Sequence, residues 1–92
     1  MKLIWSADSR NQRSDIFDYI SADDPLAALS MDELFVERAK NLLEFPHIGR
    51  LGLLPDTREL TVHPNYRLVY ELIEDDVYIL NVVRARQDWP EG

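Results

Sequence analysis

The sequence contains no cysteine, only three glycines and two histidines, and no apolar run longer than a few positions. Without cysteine, neither a disulfide framework nor a thiolate metal site can form. The glycines Gly49 and Gly52 precede no lysine of a phosphate-binding loop. No His, Asp or Glu cluster has convincing ligand spacing, so no metal and no cofactor is expected. The N-terminus offers only Leu3, Ile4 and Trp5 after Lys2 before polar residues begin, which is not a signal peptide. With no stretch long enough for a membrane span either, a cytoplasmic protein that engages no membrane is expected.

Basic residues are also scarce. Ten Lys and Arg stand against seventeen Asp and Glu, a net charge of -7 that argues against sequence-specific DNA binding by this chain alone. The acidic residues are spread over both halves. What differs is kind, because every basic residue after Phe45 is an arginine, the side chain suited to bidentate contact with phosphate or carboxylate.

What remains is a globular composition, 46% hydrophobic and 29% charged over 92 residues, which predicts one domain spanning residues 1–92. The stretch from Thr57 to Pro90 organises it. Three apolar-alternating runs, Thr57 to His63, Tyr66 to Ile73 and Val77 to about Arg84, are separated by Pro64-Asn65 and Glu74-Asp75-Asp76, which predicts an antiparallel meander. Both faces of the last two runs are largely apolar, so the sheet should be covered on one face and half covered on the other.

Upstream, Met1 to Ser6 reads as a short strand that joins the same sheet, since a lone strand is unstable. Ser6, Asp8 or Ser9 can cap a helix running to about Ala22, with Ile16, Phe17 and Ile20 as a weak apolar stripe. Asp24 and Pro25 suit the cap and first position of a second helix, expected to run to Phe45 before Pro46 ends it. Ala28, Met31, Phe35, Ala39 and Leu42 give it a buried face, widened by Leu34 and Leu43. The short linker predicts an antiparallel helical hairpin across the sheet. Residues 45–55 read as a loop held down by Leu51, Leu53 and Leu54.

This α+β order of strand, helical hairpin, Pro-Gly loop and three-stranded meander resembles the RelE/ParE superfamily of toxins from type II toxin–antitoxin pairs. The resemblance is carried by Trp5, Asp24-Pro25 with Ala27-Ala28, Pro46 with Gly49-Arg50, Thr57 to Leu60, Tyr66 to Tyr70, and Arg86-Gln87-Asp88-Trp89-Pro90. The final segment is closer to the ParE branch. RelE-like members cleave mRNA in the ribosome, whereas ParE members of known target are described as DNA gyrase inhibitors. The resemblance therefore implies a toxin with a cognate antitoxin as partner and gyrase as target. The alternatives are a ribosome-dependent endoribonuclease and a non-toxic descendant that only binds antitoxin.

The resemblance assigns a cationic role to Arg67. Ribonuclease relatives often supply a histidine or tyrosine at the end of the last strand, where this chain has Arg84, Arg86 and Gln87. A ribonuclease must move protons as well as stabilise phosphate charge. His47 and His63 are not placed near Arg84 by sequence, and both read as exposed bystanders. Tyr66, Tyr70, Tyr78 and Glu71 are the remaining substitutes, although a tyrosine of pKa near ~10 is a poor base at neutral pH. Docking rather than cutting is therefore expected, by a sheet that has guanidinium groups and no proton shuttle beside them.

Arg58, Arg67, Arg84 and Arg86 form the candidate target-binding patch, with Arg67, Arg84 and Arg86 as the phosphate-stabilising set if the chain is a ribonuclease. The other reading pairs these arginines with Glu59, Glu71 and Asp88 in solvated ion pairs, and packs the Arg58 stem beside Leu60 and Val62. Trp89 is either a target anchor or a plug over the core. Tyr66 and Tyr70 fit a helix-facing core. Ile16, Leu26, Val36, Leu51 and Leu53 are the expected exposed positions for antitoxin docking.

Overall fold

The computed structural model describes residues 1–86 and Trp89. The elements are β1 (Leu3–Trp5), α1 (Ala7–Ser21), α2 (Pro25–Asn41), β2 (Arg50–Leu51), β3 (Thr57–His63), β4 (Tyr66–Ile73) and β5 (Asp76–Arg84). They form one sheet of order β1-β5-β4-β3-β2. The meander is as expected, and β1 adds to it in parallel beside β5. Between the described helices none is long and apolar enough to cross a membrane.

Both helix starts follow the capping logic of the sequence. Ser6 Oγ accepts from the Ser9 N–H at 3.0 Å and Asp24 Oδ1 from the Ala27 N–H at 3.1 Å, each satisfying an orphan donor of a first turn. Ala28, Phe35, Ala39 and Leu42 are fully buried, and the last three meet Leu68, Tyr70, Val77, Ile79 and Val82 of the sheet. Phe35 packs edge-on against Tyr66. The hairpin is pinned by Arg13, which makes two hydrogen bonds to the Asp32 carboxylate and stacks 4.5 Å over the Trp5 ring.

Three local expectations change. Helix α2 ends at Asn41, where tight turns replace the helical ladder, so Leu43 is exposed and does not widen the core face. Within the supposed loop, Arg50 and Leu51 pair with Glu59 and Arg58 as the short edge strand β2. The loop leucines do not anchor it, since Leu51 and Leu53 are about three-quarters exposed and Leu54 is exposed too.

Strand β5 also contains an irregularity. Val69 pairs with Asn81 and Tyr70 with Ile79, so Leu80 is an extra residue without a partner on β4, a β-bulge. Helix α1 satisfies it. Ser6 Oγ donates to the Leu80 carbonyl at 2.7 Å, and the Val82 N–H donates to Gln12 Oε1 at 2.7 Å.

Candidate functional site

Alternation along β4 sends Tyr66, Leu68 and Tyr70 toward the helices and Arg67 and Val69 to the opposite face. On β3, Glu59 stands opposite Val69 and Thr61 opposite Arg67, so Glu59 and Arg67 are diagonal neighbours. Arg67 Nε donates to Glu59 Oε1 at 2.6 Å, and both residues are buried. Arg67 Nη1 also donates to the carbonyls of Arg84 at 2.9 Å and Ala85 at 2.7 Å. The guanidinium thus holds the exit of β5 against β4. Arg50 reaches the same Glu59 oxygen at 3.5 Å from an exposed position.

Two sequence expectations are corrected here. The Arg67 ion pair is buried, not solvated, because Val69 and Val83 on the same face are also buried. The partner is Glu59, one of the carboxylates the pairing reading named, so a carboxylate does stand beside a guanidinium where a sheet without a proton shuttle was expected. The pair borders a cleft of ≈ 300 Å³ lined by Arg50, Leu51, Leu53, Glu59, Arg67 and Trp89. Trp89 is half-buried there and, with Arg86, is described from the terminal motif; Gln87, Asp88 and Pro90 lie outside the described residues.

Arg84 and Arg86 do not join Arg67 in one patch. Both are exposed, and they line a separate cleft of ≈ 550 Å³ with Tyr19, Pro64, Asn65, Tyr66 and Ala85. No histidine or carboxylate is among these lining residues. His63 pairs with Tyr66, which in turn pairs with Arg84, so a whole strand separates the histidine from the guanidinium. His63 is half-buried, not exposed, and its Nδ1 accepts from the Asn65 N–H at 3.1 Å, closing the turn. Sequence reasoning missed Tyr19. Its signal was a large aromatic on α1 outside the Ile16, Phe17 and Ile20 stripe, and its ring is 71% exposed beside the two arginines.

Arg58 is neither a patch residue nor a simple packing stem. Its Nη1 donates to the Gly49 carbonyl at 2.8 Å and toward the His47 carbonyl at 3.3 Å. Tyr70 completes this clamp: its hydroxyl accepts from the Gly49 N–H at 2.9 Å and donates to the Pro46 carbonyl at 2.7 Å. A Cβ on Gly49 would stand 2.7 Å from the Tyr70 ring and hydroxyl, so only glycine lets the chain approach this closely. Burial pushes the Tyr70 phenol above its ordinary pKa, although the Gly49 hydrogen bond and the Arg58 charge pull it down. A phenol so placed is structural and cannot serve as a base near neutrality.

Of the five expected docking positions, Leu26, Leu51 and Leu53 are about three-quarters exposed. Ile16 is half-buried against the core and Val36 is half-buried, so the expectation of exposure fails at both. An apolar hollow of ≈ 520 Å³ lies at the end of α2, lined by Glu44, Phe45, Pro46, His47 and Ile48. No metal-binding group of His, Asp and Glu occurs among the described residues.

Comparison with known proteins bears on the whole assembly. Residues 3–89 match the family described as the ParE toxin of the type II toxin–antitoxin system parDE. Putative toxin Y4kP of Sinorhizobium fredii is 32% identical over 90 residues, covering 98% of this chain and 94% of that protein. Toxin RelE2 of Caulobacter vibrioides is 32% identical over 84 residues, with 91% and 94% covered. Among solved structures, the chromosomal ParDE toxin–antitoxin system from P. aeruginosa superposes with a TM-score of 0.81 at 25% identity, over 91% of this chain and 95% of that one. The chain belongs to the ParE toxin family of type II toxin–antitoxin systems.

Proposed function

We propose that this toxin acts by docking on DNA gyrase and inhibiting it, and that a cognate antitoxin neutralises it. The observation that carries this reading is the cleft of the exposed Tyr19, Arg84 and Arg86 over the buried Tyr66, where no histidine or carboxylate is among the described lining residues. Such a surface is chemically suited to binding, and its described residues include no histidine or carboxylate to draw a proton from a ribose hydroxyl. Aromatic and arginine side chains are also the ones that dominate protein interfaces. The similarity to a ParDE system supports the same branch. Trp89, half-buried at the second cleft, is also assigned to target contact.

The antitoxin is assigned to the exposed leucines Leu26, Leu51 and Leu53, with the apolar hollow at Phe45 and Ile48 as the neighbouring surface. An acidic chain gains little from bulk charge in capturing a partner, so burial of these apolar groups supplies the affinity.

A second reading is favoured by one observation: the Arg67 and Glu59 pair beside the smaller cleft supplies a carboxylate and cations at one place. In that reading the protein cleaves mRNA on the ribosome. Supercoiling by purified gyrase, with and without micromolar toxin, separates the two. Inhibition of supercoiling supports docking, whereas toxin-dependent cuts by primer extension on translating ribosomes, with gyrase unaffected, replace it with cleavage. Induction that causes no growth arrest leaves only the antitoxin-binding role.

A further inference from the structure

The cleft assigned to the target depends on which face of the sheet Arg84 occupies, and that choice is made four residues earlier. In β5 the core-facing residues are Val77, Ile79 and then Val82, a step of three where an unbroken strand would step by two. The extra residue is the bulged Leu80. With strict alternation from Val77, position 84 would fall on the face that carries Arg67. With the bulge, Arg84 pairs with Tyr66 and lines the cleft with Tyr19 and Arg86.

A bulge leaves backbone groups that the ladder cannot satisfy, and an unsatisfied buried group is costly. Here both are met from α1. Ser6 Oγ takes the Leu80 carbonyl, while Gln12 Oε1 takes the Val82 N–H. Gln12 Nε2 also donates to Asn81 Oδ1 at 2.9 Å, so the amide group is held at both ends. Ser6 doubles as the α1 cap, whereas the Gln12 side chain is given over to Val82 and Asn81.

We infer that Gln12 is a positioning residue for the target cleft, acting by holding the β5 bulge that presents Arg84 beside Tyr19 and Tyr66. The inference rests on the reading of that cleft as the target surface. Gln12 touches no target itself; it acts through Val82 and Asn81.

The test uses the full chain, as Gln12→Ala and Gln12→Glu, with Arg84→Ala as reference. Glutamate keeps an acceptor for the Val82 N–H and can take the amide hydrogens of a flipped Asn81. In Gln12→Ala, hydrogen exchange at the Val82 amide accelerates, the nuclear Overhauser contacts between Arg84 and Tyr66 weaken, and growth arrest on induction needs about tenfold more toxin, a loss typical of a displaced interface anchor. Gln12→Glu restores all three. A Val82 amide that stays protected in Gln12→Ala, or Arg84 contacts that do not change, overturns the inference. So does a Gln12→Glu protein as impaired as the alanine variant. If Arg84→Ala leaves growth arrest intact, the cleft is not the target surface, and the exchange and contact measurements alone then decide whether Gln12 sets the face of Arg84.

Discussion

Arg67 donates its Nε hydrogen to Glu59 at 2.6 Å across the β3–β4 ladder, and both side chains are less than a tenth exposed. Removing Glu59 takes the carboxylate from a buried guanidinium, and removing Arg67 leaves the buried Glu59 with only the exposed Arg50 at 3.5 Å. Arg67→Ala should therefore lower unfolding free energy by about 3–5 kcal/mol, and Glu59→Ala by a similar amount. The double change Arg67→Met with Glu59→Leu should cost clearly less than either single one. Urea unfolding followed by circular dichroism checks this; equal losses in all three variants would show that the pair is not what the two residues contribute.

Tyr70 links stability to alkaline pH. Its phenol titrates above the ordinary value in the folded chain, with burial as the leading cause. The folded state therefore keeps this proton when the unfolded state, near pH ~10, has begun to lose it. The stabilisation is fully present below that pH and is lost as pH rises through the higher folded value. Melting temperature should fall more steeply above about pH 10 in the parent than in Tyr70→Phe, which lacks the titrating group. At neutral pH the same variant should be weaker by roughly 1–3 kcal/mol, since it strands the Gly49 N–H and the Pro46 carbonyl.

Gly49→Ala tests the same clamp from the other side. The added methyl would meet the Tyr70 hydroxyl at 2.7 Å and the Glu59 carbonyl at 2.9 Å. A loss of about 1–3 kcal/mol is expected, and proteolysis within residues 45–55 should become faster. Unchanged stability in this variant would mean that the loop can move off Tyr70 freely.

Charge and apolar surface should separate in binding. Arg84→Glu with Arg86→Glu should abolish target inhibition while leaving the melting temperature nearly unchanged, because both positions are exposed. Leu51→Glu or Leu53→Glu should weaken capture of the antitoxin by about tenfold or more. That complex should change its affinity little between low and high salt, as measured by titration calorimetry.

The elements that alternation and capping specify were legible in the chain: the three meander strands, the Asp24 cap, Ser6 as one of three candidate caps for α1, and the Ala28, Phe35, Ala39 and Leu42 face. The bulge was not. Residues 77–83 are apolar at both parities except Asn81, so no pattern marks where the faces exchange. Leu51, Leu53 and Leu54 misled for a related reason, since an apolar side chain need not be buried. The loop is held by a tyrosine hydroxyl and an arginine whose partners are backbone atoms, and composition carries no trace of those. Separate clefts for Arg67 and Arg84 follow from the same bulge, which alternation alone could not place.

The pairing of β1 with β5 has a consequence for synthesis of the toxin. Leu3 to Trp5 find their partners only at Val77 to Ile79, and Ser6 and Gln12 theirs at Leu80 to Val82. Contacts of such long sequence separation form late, after the intervening chain exists. A nascent chain that has not reached Val77 thus has no parallel edge pair, and one that has not passed Val82 has no braced β5 and no Arg84 cleft. The surface proposed for the target is therefore completed only when β5 is made.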